Sequence, residues 1–138
     1  MKAITISQPW ARLIASGEKF VENRSWSTNY RGPIAIHAGL GTQYLSKEEL
    51  AEYPTSAVIA IARLAACVNL FDVTSKRVST LGEIIPGTQY TYKQIVEHKY
   101  SEGPCCWILE DIQEVGPWKA TGKQGLWVWQ EQKELLKK

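Results

Sequence analysis

Apolar and polar residues alternate in short runs along most of the chain, and few stretches keep a helical period. Ala3–Ile6 (AITI) reads as a short strand. Ser7 or Gln8 can cap a helix that carries Pro9 in its first turn, where a missing N–H costs nothing. Trp10, Leu13 and Ile14 then form one apolar face, and Gly17 ends the helix as its C′ residue. Lys19–Trp26 reads as a strand after a tight turn, Arg31-Gly32-Pro33 as a turn, and Ile34–His37 (IAIH) as the next strand. Ser46-Lys47-Glu48-Glu49 is a capping box that opens a short helix toward Tyr53, and Pro54 stops it.

Ala57–Leu70 (AVIAIARLAACVNL) is the longest apolar run, and its length would also suit a helix. Val58, Ile59 and Ile61 follow directly on a Pro-Thr-Ser turn and Asn69 closes the run, so it reads as a strand. Residues 72–90 are polar and turn-rich, a long excursion. Thr91-Tyr92-Lys93-Gln94 is a second capping box, with a short helix toward His98. Gly103-Pro104 is a turn, and Cys106–Ile112 and Leu126–Gln130 are strands. Short strands dominate and helices are too few for repeated βαβ crossovers. The class this implies is α+β, a mostly antiparallel, barrel-like sheet with short helices. Residues 1–131 read as one domain and 132–138 as a charged C-terminal tail.

Composition narrows the function classes. The chain has 138 residues, 44% of them hydrophobic, enough for one core without disulfides or metal. Six tryptophans are many for this length, and an indole N–H needs a partner when buried, so some should stay half-covered on a ligand surface. The net charge of +2 is too small for wholesale coating of DNA or of an acidic membrane. Positive charge is concentrated at the front: residues 1–39 hold five basic side chains and two acidic ones, net +3, whereas Lys47–Glu52 is net −2. Cys67, Cys105 and Cys106 are an odd number of thiols, two of them adjacent, which fits no disulfide framework. The beginning of the chain (MKAITISQPW) lacks the apolar run of a signal peptide, and no stretch approaches the ~20 apolar residues of a membrane span. These features point to a cytoplasmic protein. No CxxC or HxxxH spacing suggests a metal, no cofactor is expected, and Gly122-Lys123-Gln124-Gly125 lacks the frame of a phosphate loop.

The stretch Ser7–Gly39 carries the candidate chemistry. In an extended strand Glu22, Arg24 and Trp26 share one face, and two charges with an indole are not a core-facing row. Lys19 lies at odd spacing and joins that face only if the turn after Gly17 or a bulge breaks the parity. A Lys, a Glu and an Arg edged by Trp can pair with phosphate, hydrogen-bond a base edge and stack a base. The plainer alternative is a solvated surface ion pair between Glu22 and Lys19 or Arg24, worth about 0–1 kcal/mol. His37, at the end of an apolar strand, also suits a packed core histidine, and Trp127 with Trp129 suits core or barrel closure.

Gly17–Arg24 (GEKFVENR) resembles the G-x-K-x-x-E-x-R signature of the ASCH domain family, which belongs to the PUA-like β-barrels. The resemblance extends through Ile6–Ala11 (ISQPWA), Ser25-Trp26, Arg31–Ala38 (RGPIAIHA), Cys106–Glu110 and Lys123–Trp127 (KQGLW), nearly the whole chain. It implies a PUA-like barrel with short helices over its openings and a cleft lined by the motif. The implied ligand is RNA, single-stranded nucleic acid or a modified nucleoside. Carried over by residue, Lys19, Glu22 and Arg24 would line the cleft, with Gln8, Trp10, Trp26 and His37 around it.

The resemblance also implies an enzymatic alternative, a hydrolase with Lys19 and Glu22 as catalytic groups. Some ASCH proteins remove acetyl groups from N-acetylated cytidine, using a threonine hydroxyl activated at the lysine position, and ribonuclease activity has been proposed for others. Here the residue three after Lys19 is Glu22. A carboxylate is a poor acyl acceptor, although it can act as a general base toward water. Glu97, in a segment that matches nothing distinctive, is a further candidate acid. Binding is therefore the expected role, with catalysis as the alternative.

Overall fold

A computed structural model describes residues 1–74 and 81–130 of the chain. In chain order the elements are β1 (Lys2–Ile6), α1 (Trp10–Ala15), β2 (Val21–Arg24), β3 (Gly32–Ala38), α2 (Lys47–Leu50) and β4 (Ala57–Asn69). They continue with α3 (Leu70–Thr74), α4 (Tyr92–Glu97), β5 (Cys105–Lys119) and β6 (Leu126–Val128). The six strands make one curled sheet in the order β2-β5-β4-β3-β1-β6, and every neighbouring pair is antiparallel except β1 with β3. This half-barrel with a few short helices is the α+β, barrel-like class expected from the short alternating runs.

β4 is the organising strand, because it pairs with β3 on one side and β5 on the other. It is buried on both faces for most of its length, which is why its sequence reads as an almost unbroken apolar run. Three register shifts against β5, between Val58/Ala60, Ile61/Arg63 and Leu64/Ala66, rotate its side chains from one cluster to another. Ala60, Ala62 and Leu64 join Ile4, Ile34, Ile36, Trp107 and Leu109 on the face covered by Ala11 and Ile14 of α1. Past the last shift, Ala66 and Val68 turn to the opposite face, with Val21, Ile108, Val73 of α3 and Ile95 of α4. Trp127 and Trp129 are buried with Ala3, Ala35 and Val58 in a third cluster, the core role their shared face suggested.

Both capping boxes form: Ser46 with Glu49 opens α2, and Thr91 with Gln94 opens α4. β5 runs to Lys119, well past Ile112. Its distal half is mostly exposed, and the register shifts against β4 leave the half-covered Ile112, Val115 and Trp118 three residues apart, so no strand alternation marks it in the sequence. α3 replaces the end of the expected long strand and the start of the excursion. Its signal lay in Asn69, whose side-chain oxygen accepts from the backbone N–H groups of Phe71 (2.9 Å) and Asp72 (3.2 Å). The rest of that excursion over 75–80, and the charged tail at 132–138, lie outside the described residues. No helix among the described residues is long and apolar enough to cross a membrane.

Candidate ligand cleft

The cleft forms where α1 hands the chain over to β2. Gly17 sits at φ +86°, a left-handed conformation that ends the helix, and its N–H donates to the Ile14 carbonyl at 2.9 Å. Two residues on, the Lys19 N–H donates to the Leu13 carbonyl at 3.0 Å. This reversal lets Lys19 share a face with Glu22, the break in parity that the odd spacing required. β2 is an edge strand in which Glu22 lies opposite Trp107 and Arg24 opposite Cys105. Trp107 and Cys105 belong to the cluster under α1, so both charged side chains point to that side, while Val21 and Asn23 point to the other.

The charges are not solvated. Lys19 and Glu22 are 4% and 8% exposed, which removes the surface-pair alternative. Lys19 Nζ donates to Glu22 Oε1 at 2.9 Å, and Arg24 Nε lies 3.0 Å from Glu22 Oε2. That second contact is an ion pair with poor alignment, since the buried Arg24 Nε–H has no hydrogen-bond acceptor. Arg24 Nη2 donates to the Thr5 carbonyl at 2.8 Å, which fixes the guanidinium to the end of β1. One carboxylate thus bridges two cations, and the cluster keeps one surplus positive charge.

Around this floor lies a cleft of about 400 Å³, within the usual range for small-molecule sites. Its α1 side is Ser7 and Trp10, with Tyr44 from the loop between β3 and α2; the Trp10 and Tyr44 rings are tilted with centroids 6.3 Å apart. Its far side is Asn23, Tyr100 and Glu102. Nearby, burial and then the charge of Lys19 push the His98 imidazole below its ordinary value of 6.5. Burial likewise pushes the Cys106 thiol up to about 11. No group of three His, Cys, Asp or Glu among the described residues could hold a metal ion.

Of the residues expected around the cleft, the structure brings together Lys19, Glu22, Arg24 and Trp10. It places three elsewhere. Gln8 is fully buried; its side chain accepts from the Arg12 N–H at 2.9 Å and donates to the Pro54 carbonyl at 2.8 Å, so it starts α1 and ties it to the loop after α2. His37 alternates with Ile36 and Ala38 and so faces the third cluster. There its Nε2 bonds the Ala120 carbonyl at 2.7 Å, Nδ1 meets Thr5 Oγ1 at 3.2 Å, and Trp127 packs edge-on against the ring. Trp26 falls beyond the end of β2, so strand alternation no longer orients it. It packs edge-on to Trp107, with 4.8 Å between centroids, and its carbonyl accepts from Trp107 Nε1. Glu97 is exposed on α4 and does not line the cleft.

Sequence reasoning missed Tyr44, Tyr100 and Glu102, which sit in aperiodic loops without a motif to mark them. Asn23 was detectable, being a turn-favouring residue inside a strand between two charged motif positions.

The ASCH domain profile matches residues 4–119 of the chain. Among proteins of curated function, none matches it in sequence. The crystal structure of an ASCH protein from Zymomonas mobilis superposes with a TM-score of 0.55 at 20% identity, covering 99% of this chain and 91% of that one. A Tyr-to-Phe variant of that protein gives 0.55 at 20% identity, covering 99% and 94%, and a Ser-to-Ala variant gives 0.54 at 21%, covering 99% and 92%. At such identities these likenesses speak for the fold alone. The profile match across most of the sequence settles the family: the chain belongs to the ASCH domain family.

Proposed function

We propose that the cleft binds a base, presented by a nucleoside or by a short single strand of RNA. ASCH domains are in general RNA-binding-like. The observation that carries the reading is the buried Lys19–Glu22–Arg24 bridge with its surplus positive charge, inside a cleft edged by Trp10, Tyr44 and Tyr100. Aromatic side chains stack a base with about 1–3 kcal/mol each. Lys19 uses one of its three donors on Glu22, leaving others for a carbonyl or phosphate oxygen. Each Glu22 oxygen, already facing one cation, retains a second lone-pair direction for an exocyclic amino group.

A hydrolase acting on N-acetylated cytidine or RNA is the second reading. It is favoured by a lysine held almost entirely out of water, in hydrogen-bond reach of a carboxylate, on a cleft wall. Binding is preferred because the residue three after Lys19, where the acetylcytidine hydrolases carry their threonine hydroxyl, is Glu22, and a carboxylate is a poor acyl acceptor. The test is titration of tryptophan fluorescence with cytidine, N-acetylcytidine and a short single-stranded RNA, with products assayed by mass. Saturable quenching with intact ligands supports binding. Deacetylation or cleavage abolished by Lys19→Ala replaces it with the hydrolase, and neither quenching nor reaction overturns both.

A further inference from the structure

The motif segment has two sets of residues with different tasks. Lys19, Glu22 and Arg24 make the cleft floor. The residues between them, on the other side of the strand, hold the segment that forms the opposite wall. Asn23 grips this segment by three short bonds. Its Nδ2 donates to the Tyr100 carbonyl at 2.8 Å, and its Oδ1 accepts from the backbone N–H groups of Glu102 and Gly103, both at 2.8 Å. Phe20 packs against the His98 ring, with 4.0 Å between centroids. The segment is anchored beyond these contacts as well. The Pro104 carbonyl accepts from the Leu70 N–H at 2.8 Å, and a Cβ on Gly103, at φ +72°, would press on Leu70 Cδ1 at 3.0 Å.

Tyr100 and Glu102, whose backbone Asn23 fixes, both line the cleft. Tyr100 offers a ring face and a hydroxyl. Glu102 offers a carboxylate whose only described function here is to line the cleft, and which can accept from an amino group and repel a carbonyl oxygen. The floor's cations meet a carbonyl or phosphate oxygen that all pyrimidine nucleosides or their strands present, and its one carboxylate is shared between two cations. The wall can tell one base edge from another.

We infer that His98–Gly103 is the ligand-selecting wall of the cleft and that Asn23 is its positioning residue, setting the wall against the floor so that an amino-bearing pyrimidine is preferred over its carbonyl counterpart. This rests on the reading of the cleft as a base-binding site. Asn23 borders the cleft, but its side-chain amide is committed to the backbone of Tyr100, Glu102 and Gly103, so it acts on selection through Tyr100 and Glu102. Rigid anchoring matters because a wall displaced by about 1 Å forfeits directional hydrogen bonds while leaving stacking almost intact.

The experiment has two arms. In the first, amide hydrogen exchange of the ligand-free protein is compared with that of Asn23→Ala. Exchange at Glu102 and Gly103 should rise at least ten-fold with little change in β3 and β4, and unchanged protection there overturns the clamp whatever the ligand. In the second, cytidine and uridine are titrated separately by tryptophan fluorescence. Wild type should bind cytidine at least five-fold more tightly. Asn23→Ala and Glu102→Gln should each bring that ratio toward one, with uridine affinity altered less than three-fold. Glu102 is exposed, so Glu102→Gln stays informative if Asn23→Ala fails to fold. A wild-type ratio near one, or a ratio untouched by Glu102→Gln, overturns the wall's role while base binding stands. Failure of wild type to bind either nucleoside, or any short RNA, overturns the base-binding reading itself.

Discussion

Two three-membered charge clusters sit on different parts of this sheet, and they are near mirror images in sign. On β2 one carboxylate, Glu22, bridges two cations. On β4 one cation, Arg63, bridges two carboxylates: its Nη2 donates to Glu110 at 2.5 Å and its Nε to Asp111 at 3.0 Å. The first cluster carries a surplus positive charge, the second a surplus negative one. Their settings differ more than their inventories. The Lys19, Glu22 and Arg24 side chains are 5%, 10% and 24% exposed, whereas in the second cluster only Glu110 is buried, at 6%, and Arg63 and Asp111 are 42% and 76% exposed. The Arg63 cluster spends its remaining capacity on the protein itself. Glu110 Oε1 accepts from the Gln89 N–H at 2.9 Å and Arg63 Nη1 reaches the Gly87 carbonyl at 3.4 Å, which clasps the 87–89 loop to the sheet. The Glu22 cluster keeps donors for a cleft. A charged triad becomes a candidate site when it is both desolvated and incompletely satisfied, and a clasp when the fold uses up its valences.

The largest expected effect separates the two clusters by stability. Glu22→Ala leaves Lys19 buried without a counter-ion and should cost on the order of 3 kcal/mol, with the partial exposure of Arg24 absorbing some of the loss. Urea denaturation should show this as a lower midpoint at unchanged slope. Glu110→Ala should lower the midpoint less, because Arg63 keeps Asp111 as a partner and is exposed enough to be solvated. Equal losses would erase the distinction between floor and clasp. Next in size is the effect on binding. Arg24→Ala removes a charged donor from the floor and should weaken nucleoside affinity roughly ten-fold, while Arg63→Ala should leave it unchanged in the same fluorescence titration. A comparable loss in both variants would show that the ligand does not use the cleft.

The clasp and the floor were not equally legible in the sequence. The floor was, because Lys19, Glu22 and Arg24 lie within six residues and their spacing constrains which face each can reach. Only the parity of Lys19 was open, and the Gly17 reversal closed it. The clasp joins residues far apart in the chain through the β4–β5 register, and nothing local encodes that pairing. The same limit explains the cleft's far wall. Tyr100 and Glu102 reach the floor through β5 and Asn23, a relation fixed only by folding. His37 and Gln8 were misplaced for a different reason. Both are polar residues beside motif-bearing segments, and the sequence shows their polarity without showing that backbone groups at Ala120, Arg12 and Pro54 satisfy it. Helix starts, by contrast, are decided within four residues, and both capping boxes formed.

A smaller effect tests how far the floor's charge reaches. In the folded chain burial and Lys19 depress the His98 pKa, so the unfolded state binds more protons as pH falls. The stability this contributes is complete above the unfolded value of about 6.5 and is lost as pH falls through the lower folded value. His98→Phe, which keeps the packing on Phe20, should flatten this part of the stability–pH curve between pH 7 and 5. Lys19→Met, if it folds, should flatten it less, because burial is the larger cause. An unchanged slope in His98→Phe would place the titrating group elsewhere.

The smallest effect is on salt dependence, and it bears most directly on the sign of the floor. The cleft's charged lining residues are Lys19 and Arg24 against Glu22 and Glu102, so the site as a whole is nearly balanced and few phosphates can be neutralised in it. For a single strand, log K falls with log salt at a slope of about −0.7 per phosphate contact. With at most two such contacts the slope for a short RNA should be no steeper than about −1.4, and for a free nucleoside it should be near zero. Glu102→Gln should steepen the RNA slope slightly by unmasking the surplus charge. A slope several times steeper would mean that RNA lies along the basic residues of the front segment outside the cleft, and that the buried bridge on β2 is, like the Arg63 cluster, a clasp.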